Sequence, residues 1–418
     1  MTDDVIITAD ATADTLADLY RDLHAHPELS YAELRTARIV TESLAALGFE
    51  VHSGLGGTGV AGVLRRGDGP TVLVRADMDA LPVTEAAGLP YASTARATDP
   101  DGNEVGVMHA CGHDVHVTCL LGAAQELASD EGWSGTLIML GQPAEELGSG
   151  ANAMVADGLY EKVGTPDVVL GQHVGPLPAG LLALHPGAAY ATSDSLKITL
   201  YGRGGHGSRP EACIDPVVMA AAVVLRLQTV VSREVAGGET AVVTVGTLHA
   251  GTKVNIIPDT AELQVNVRTY DDRVRTRVLD AIARIVKAEA AASGAPREPT
   301  VEHPDHFPLL FNDPDGCART IPALASVVGG PRRVIDPGPV TGSEDVGELA
   351  KAAGAPCVYW ILGGADPTPF GGATTPEEML AVMGTIPSNH SPGYAPVIEP
   401  TLSIGVAALV AAAKEWLG

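Results

Sequence analysis

Four short runs of Val, Ile and Leu, each bounded by turn residues, restrict this chain to a small set of folds. They are VAGVL at 60–64, TVLVRAD at 71–77, TLIMLGQ at 136–142 and DVVLGQH at 167–173. Strands this evenly apolar have no polar face to offer water, so they belong in a sheet covered by helices on both sides. Residues 32–47 supply one such helix, with Leu34, Ala37, Val40, Leu44 and Leu47 near helical spacing and Gly48 where a left-handed cap would sit. Residues 116–128 supply another, with Val117, Leu120, Leu121, Ala124 and Leu127 on one face. The expectation is an α/β protein built on a mostly parallel sheet.

The pattern changes near residue 195. SLKITLYG alternates Leu196, Ile198 and Leu200 with Lys197 and Thr199, as a half-buried strand does. A helix follows from Pro216 to about Glu234, then the strands AVVTVGTLHAG and AELQVNVRTY. A helix at 273–292 and a short strand at 300–303 complete a strand-helix-strand-strand-helix-strand order, the ferredoxin-like unit. The α/β pattern resumes with CVYWILGG at 357–364 and a closing helix at 401–416. The chain therefore reads as one catalytic domain in two pieces, 1–190 and 306–418, around an inserted domain at 191–305.

Charge and cysteine usage remove several classes of function. The 418 residues carry 26 basic and 51 acidic side chains, a formal charge of −25. A field of that sign repels phosphate backbones and anionic lipid, which argues against nucleic acid and membranes as partners. Aromatic residues, at 4%, are too few for a single-strand stacking platform. The five cysteines are scattered without a Cys-x-x-Cys pair, so no disulfide framework is expected. MTDDVIITAD has acid where a signal peptide has base, and the longest apolar run, Val217–Leu225, ends at Arg226. A cytoplasmic protein is expected.

Metal-ligand residue types gather in segments that end strands or start helices. Asp77 and Asp79 close one strand; His109, Cys111, His113, Asp114 and His116 precede a helix; Glu145 and Glu146 follow a strand; and His173 ends another. Asn389-His390-Ser391-Pro392 adds a fifth segment. Ligands bind at the carboxyl ends of strands in open α/β sheets, so these segments can converge. Singly, each has a plain explanation: Cys111 as a small core residue, the histidines as a solvated loop, the acids as caps or surface charge. Together they do not, because charge at the end of a buried strand is costly unless paired or metal-bound. Thiolate, imidazole and carboxylate suit a transition ion rather than Ca²⁺ or Mg²⁺.

ADMDALP at 76–82, MHACGHDVH at 108–116, QPAEE at 142–146, GGHGSRP at 204–210, NIIPD at 255–259 and GSED at 342–345 resemble the M20 metallopeptidase family, as does LHAHPELSYAE at 23–33. The nearest branch is the amidohydrolase subfamily of N-acyl amino acid, hippurate and auxin-conjugate hydrolases. The resemblance implies two divalent transition-metal ions (Zn²⁺, Mn²⁺ or Co²⁺) held by Cys111, His113, Glu146, His173 and His390. It makes Glu145 the general base, with Asp79 and Asp114 orienting the ligands. In the wider family a His-x-Asp pair ends the first strand; here Asp77 takes the His position. The inserted domain becomes a lid and dimerisation domain of a homodimer, whose exposed sheet edge invites pairing. His206 and Asn255 become oxyanion donors, His206 reaching the neighbouring subunit, and Arg268 becomes a substrate contact. The implied substrate is a small N-acyl amino acid; a dipeptidase or carboxypeptidase is the alternative.

Two other readings are set aside. Gly54-Leu55-Gly56-Gly57-Thr58-Gly59 matches a dinucleotide fingerprint, but a strand rather than a helix follows it. No Gly-x-Ser-x-Gly elbow follows a strand, which argues against a serine hydrolase.

Overall fold

In the computed structural model, which describes residues 4–99, 102–373 and 375–418, the chain divides into two units. One comprises Met1–Ala189, Phe311–Gly338 and Asp345–Gly418; the other comprises Tyr190–Leu310 and Pro339–Glu344. In chain order the first begins with α1 (Ala13–Ala25), α2 (Leu34–Ala46), β1 (Glu50–Leu55), β2 (Gly59–Arg66), β3 (Thr71–Asp77) and α3 (His113–Ser129). It continues with β4 (Gly135–Gln142), α4 (Gly150–Ala156), β5 (Val168–Pro178) and β6 (Leu182–Ala183). The second unit holds β7 (Thr192–Tyr201), β8 (Gly205–His206), α5 (Pro216–Glu234), β9 (Ala241–Ala250), β10 (Ile256–Ile257), β11 (Thr260–Thr269), α6 (Asp272–Ala292) and β12 (Thr300–Phe307). The chain returns to the first unit with α7 (Pro314–Val327), β13 (Val334–Ile335), α8 (Val346–Ala353), β14 (Cys357–Ala365) and α9 (Thr401–Trp416).

The first unit is built on an eight-stranded sheet in the order β1-β2-β4-β3-β5-β14-β6-β13. Its centre is parallel: β3 pairs with β4 and β5, and β5 with β14, all in the same direction. β1 and β2 add an antiparallel edge, joined by the glycine-rich segment 54–59 as a hairpin turn rather than a phosphate loop. Val72, Leu73, Val74, Leu137, Met139, Val168 and Leu170 are fully buried in the central strands. α3 is buried on nearly every side, from His113 through Leu127. It begins three residues before the apolar pattern does, because its first turn is made of His113, Asp114 and Val115.

The second unit is a four-stranded antiparallel sheet, β9-β11-β7-β12, which is the ferredoxin-like strand order. α5 and α6 cover one face, with Met219, Val223, Leu227, Val278, Ile282 and Val286 in the shared core. Pro216 opens α5 behind the Asp215 cap, whose side chain accepts from Val217 N–H. This helix is long and apolar enough to cross a membrane, yet one of its faces packs on the sheet. The unit runs beyond 305 because β12 continues to Phe307 along β7. It takes in 339–344 because Tyr270 Oη donates to the Val340 carbonyl.

Candidate metal centre

Three neighbouring parallel strands, β4, β3 and β5, deliver the site's residues from their carboxyl ends. Asp77 is the last residue of β3 and Asp79 lies two beyond; Glu145 and Glu146 occupy a single 3₁₀ turn after β4. His173 lies within β5. Cys111 and His113 flank Gly112, which starts α3 with φ +82. A methyl group on Gly112 would sit 2.4 Å from Val174 Cγ1, so glycine is required both for its backbone angle and for the approach of α3 to β5.

The structure brings Cys111, His113, Glu146, His173 and His390 together. Ligand atoms of Cys111, His113 and His173 lie within 4.8 Å of one another, as do those of Cys111, Glu146 and His390, so two triads share the thiol. Cys111 Sγ is 3.4 Å from His173 Nε2, and His390 Nε2 is 3.4 Å from Glu146 Oε2. His113 Nε2 is 3.9 Å from both Glu145 Oε2 and Glu146 Oε1. Asn389 Nδ2 donates to the carbonyls of Cys111 and Val174, and His390 N–H to that of Ala110, which ties the C-terminal segment to the start of α3.

Buried polar atoms in this cluster lack partners. Both ring nitrogens of His113, Oδ1 of Asp79 and Oε1 of Glu146 make no hydrogen bond, although all are buried. Burial alone would lower the pKa of His113, but Asp77, Asp79 and Glu146 outweigh it and raise it to about 10. Burial, with Glu146, Glu145 and Asp77, pushes the Cys111 thiol well above its ordinary range. Excess negative charge raises both, while burial adds to the rise at Cys111 and opposes it at His113. A proton on His113 is a poor substitute for a divalent ion, which would neutralise the carboxylates and favour thiolate. His173 is pushed down to about 4, chiefly by burial, so its ring is neutral as a ligand must be. The donor set and its unpaired atoms fit a transition metal.

The expected supporting residues divide. Asp79 contacts the cluster: its Oδ1 lies 3.3 Å from His113 Nδ1, and its Oδ2 accepts from Glu146 N–H and Ser30 Oγ. Asp114 does not. Its carboxylate accepts from Val115 N–H and pairs with His24, 90 residues away, rather than with any ligand. The reason is geometric, since Asp114 follows His113 on α3 and points to a different face toward α1. Asp77 ion-pairs with Arg75 (2.8 Å) and contacts His116 Nδ1, with His113 Nε2 farther off at 3.6 Å. Val174 N–H donates to His116 Nε2, so the proton of that ring is on Nδ1, facing Asp77.

His206, Asn255 and Arg268 belong to the second unit. There β8 and β10 pair His206 with Ile256, and Gly207 N–H donates to the Asn255 carbonyl. Ser208 N–H donates to His206 Nδ1, which leaves Nε2–H as that ring's donor. Arg268 donates to the Thr341 carbonyl, Ser343 Oγ and Asn266 Oδ1 within its own unit. Arg75 was missed by the motifs. The signal was present: a lone Arg inside TVLVRAD must find buried acceptors, and it finds Asp77, Asp345 and Gln142.

A model of peptidase family M20/M25/M40 matches residues 73–387. Thermostable carboxypeptidase 2 of Saccharolobus solfataricus is 36% identical over 401 residues, 94% of this chain and 93% of that protein. Hippurate hydrolase of Campylobacter jejuni is 44% identical over 273 residues, 65% of this chain and 68% of the relative. The Bacillus subtilis YxeP structure, described as a dinuclear metal-binding peptidase of the M20 family, is 27% identical with a TM-score of 0.72, covering 97% of this chain and 99% of its own.

Proposed function

From the premise that the chain belongs to peptidase family M20/M25/M40, in its amidohydrolase subfamily, we propose that it hydrolyses the amide bond of small N-acyl amino acids. The products are a carboxylic acid and a free amino acid. One observation carries this reading: Glu145 and Glu146 share a turn beside two ligand triads joined at Cys111. Cys111, His113, Glu146, His173 and His390 are the residues that would hold two divalent ions, Zn²⁺, Mn²⁺ or Co²⁺. Such ions polarise an amide carbonyl and acidify water. Glu145 accepts the proton of the attacking water and returns it to the leaving nitrogen, worth roughly 10²–10⁴-fold. Asp79 holds the Glu146 backbone for this task and places its second oxygen beside His113.

The second unit serves as lid and dimerisation unit in a cytoplasmic homodimer. β9 is an edge strand with Val242 and Leu248 exposed, and α5 exposes Val218 and Leu225. His206, with its proton on Nε2, and Asn255 are assigned to the oxyanion, His206 acting on the partner subunit's cleft. Arg268 is assigned to the substrate carboxylate.

A carboxypeptidase is the second reading, favoured by the 36% identity to such an enzyme across 94% of the chain. A screen of N-acetyl and N-benzoyl amino acids against N-blocked peptides, with each metal added back after chelation, separates the two. We expect the acyl amino acids to give the higher kcat/KM, no turnover after chelation, and at least a roughly tenfold loss (about 1.4 kcal/mol) when the substrate carboxylate is amidated. Faster cleavage of the peptides would transfer the assignment to the second reading.

A further inference from the structure

Three residues other than glycine adopt left-handed backbone angles among the described residues: Tyr31 (φ 63), Ala144 (φ 48) and His390 (φ 69). Such angles cost energy in a residue with a Cβ and persist only where the surroundings impose them. Ala144 immediately precedes Glu145, and its angles set the direction of the 145–147 turn. The N–H of Ala144 and the N–H of Tyr31 donate to the same atom, Glu33 Oε1, each at 2.9 Å. The other oxygen of Glu33 accepts from Thr58 Oγ1 in the hairpin turn between β1 and β2. Glu33 is fully buried. One carboxylate thus ties three separate loops at the base of the turn that carries Glu145 and Glu146.

Glu33 has given up an ordinary role to do this. It occupies the N-cap position of α2, where an acidic side chain usually accepts from its own helix, yet it makes no such bond. Glu28 caps the helix instead, accepting from the N–H groups of Arg35 and Thr36. The turn is held from its other side as well. Gly150 N–H donates to the Ala144 carbonyl, and a Cβ on Gly150 would fall 1.6 Å from the Pro143 carbonyl oxygen. Tyr31 Oη meets Ser149 Oγ at 2.7 Å, a second link between the two strained segments.

We propose that Glu33 is a positioning residue for the reaction: through the Ala144 amide it fixes the left-handed step that aims Glu145 at the water. This rests on the amidohydrolase reading for what Glu145 does, but not for how the turn is held. Glu33→Ala should lower kcat by about 10²-fold at saturating metal and leave KM within about twofold, as expected when a reacting group is misplaced by about an ångström. Glu33→Gln keeps an oxygen for the two amides and turns the Thr58 hydroxyl into an acceptor, so it should restore kcat to within about threefold. Leu44→Ala, a core truncation on α2, controls for lost stability and should leave kcat per folded molecule unchanged. Amide hydrogen exchange over 143–149 in the full chain, read without substrate, should be faster in Glu33→Ala and near wild type in Glu33→Gln and Leu44→Ala. Unchanged exchange in Glu33→Ala, or a Gln variant as impaired as the Ala variant, would overturn the proposal. If the wild type cleaved no N-acyl amino acid or peptide, the functional reading would fail while the exchange comparison still decided the role of Glu33.

Discussion

Arg75 and His113 are both fully buried in the first unit, on adjacent elements, and their surroundings differ completely. Arg75 Nε meets Gln142 Oε1 at 2.8 Å, Nη1 meets Asp77 Oδ2 at 2.8 Å, and Nη2 meets Asp345 Oδ1 at 3.1 Å. Asp345 in turn accepts from Gln142 Nε2 and Ala151 N–H. Neither ring nitrogen of His113 has a hydrogen-bond partner, and the carboxylates of Asp77, Asp79, Glu145 and Glu146 stand 3.3 to 3.9 Å from them. A charged network with its donors and acceptors matched has nothing left to offer a ligand. One with buried atoms unmatched has been kept open at a cost in stability, which is the mark of a site rather than of a scaffold.

The largest effect that follows falls on chemistry. Glu145→Gln should cut kcat by about 10²–10⁴-fold while metal content and thermal midpoint stay near wild type. Glu146→Gln should lower metal content, and in metal-free protein it should raise the midpoint by relieving repulsion among buried carboxylates. Metal analysis and calorimetry on the two variants check both. A Glu145→Gln protein with normal turnover would close the comparison by removing its functional half.

The matched network should respond in the opposite sense. Arg75→Met strands Asp77 and Asp345 without their common cation and should destabilise the unit by about 3–5 kcal/mol. Urea titration measures it. Replacing both acids as well, as Asp77→Asn with Asp345→Asn, should recover part of that loss, because the stranded charges are gone. If Arg75→Met were neutral for folding, the network would not be the structural half of the contrast.

Legibility in the sequence followed the same division. β3, β4 and β14 stand close to where their apolar runs place them, because a strand buried on both faces must be apolar throughout. α7 leaves no such trace: Gly316 and Pro322 interrupt its pattern, and only packing on the sheet justifies the helix. The clustered segments around Cys111 and Glu146 were visible because each breaks an apolar run with residues that must be compensated. Which partner compensates them was not visible. Asp114 reads as an orienter of its neighbour His113, whereas its partner is His24 on α1, a pairing that depends on how two helices cross. Arg75 and Asp345 are 270 residues apart, and no local spacing links them.

His24 lies between the two extremes, and its effect is graded by pH. Both its nitrogens face carboxylates, Nδ1 at 2.7 Å from Asp114 and Nε2 at 3.0 Å from Glu85, with Tyr20 and Tyr91 against the ring. Burial opposes its charge, but the two acids outweigh it and raise its pKa to about 10 from an ordinary 6.5. Below pH 6.5 the ring is protonated whether folded or unfolded, so the stabilisation is fully present. Between 6.5 and about 10 the folded chain holds a proton that the unfolded chain has released, and stability falls by up to about 1.4 kcal/mol per pH unit. Both tyrosines are pushed upward, mainly by burial, so neither releases its proton early in this interval. His24→Gln removes the linked proton and retains an amide donor for one acid. The variant should therefore be least stable relative to wild type near pH 6.5, and the gap should narrow steadily toward pH 10. Urea midpoints at pH 6.5, 7.5, 8.5 and 9.5 give the comparison directly. Parallel curves would mean that His24 holds no extra proton in the folded chain, and would overturn this assignment.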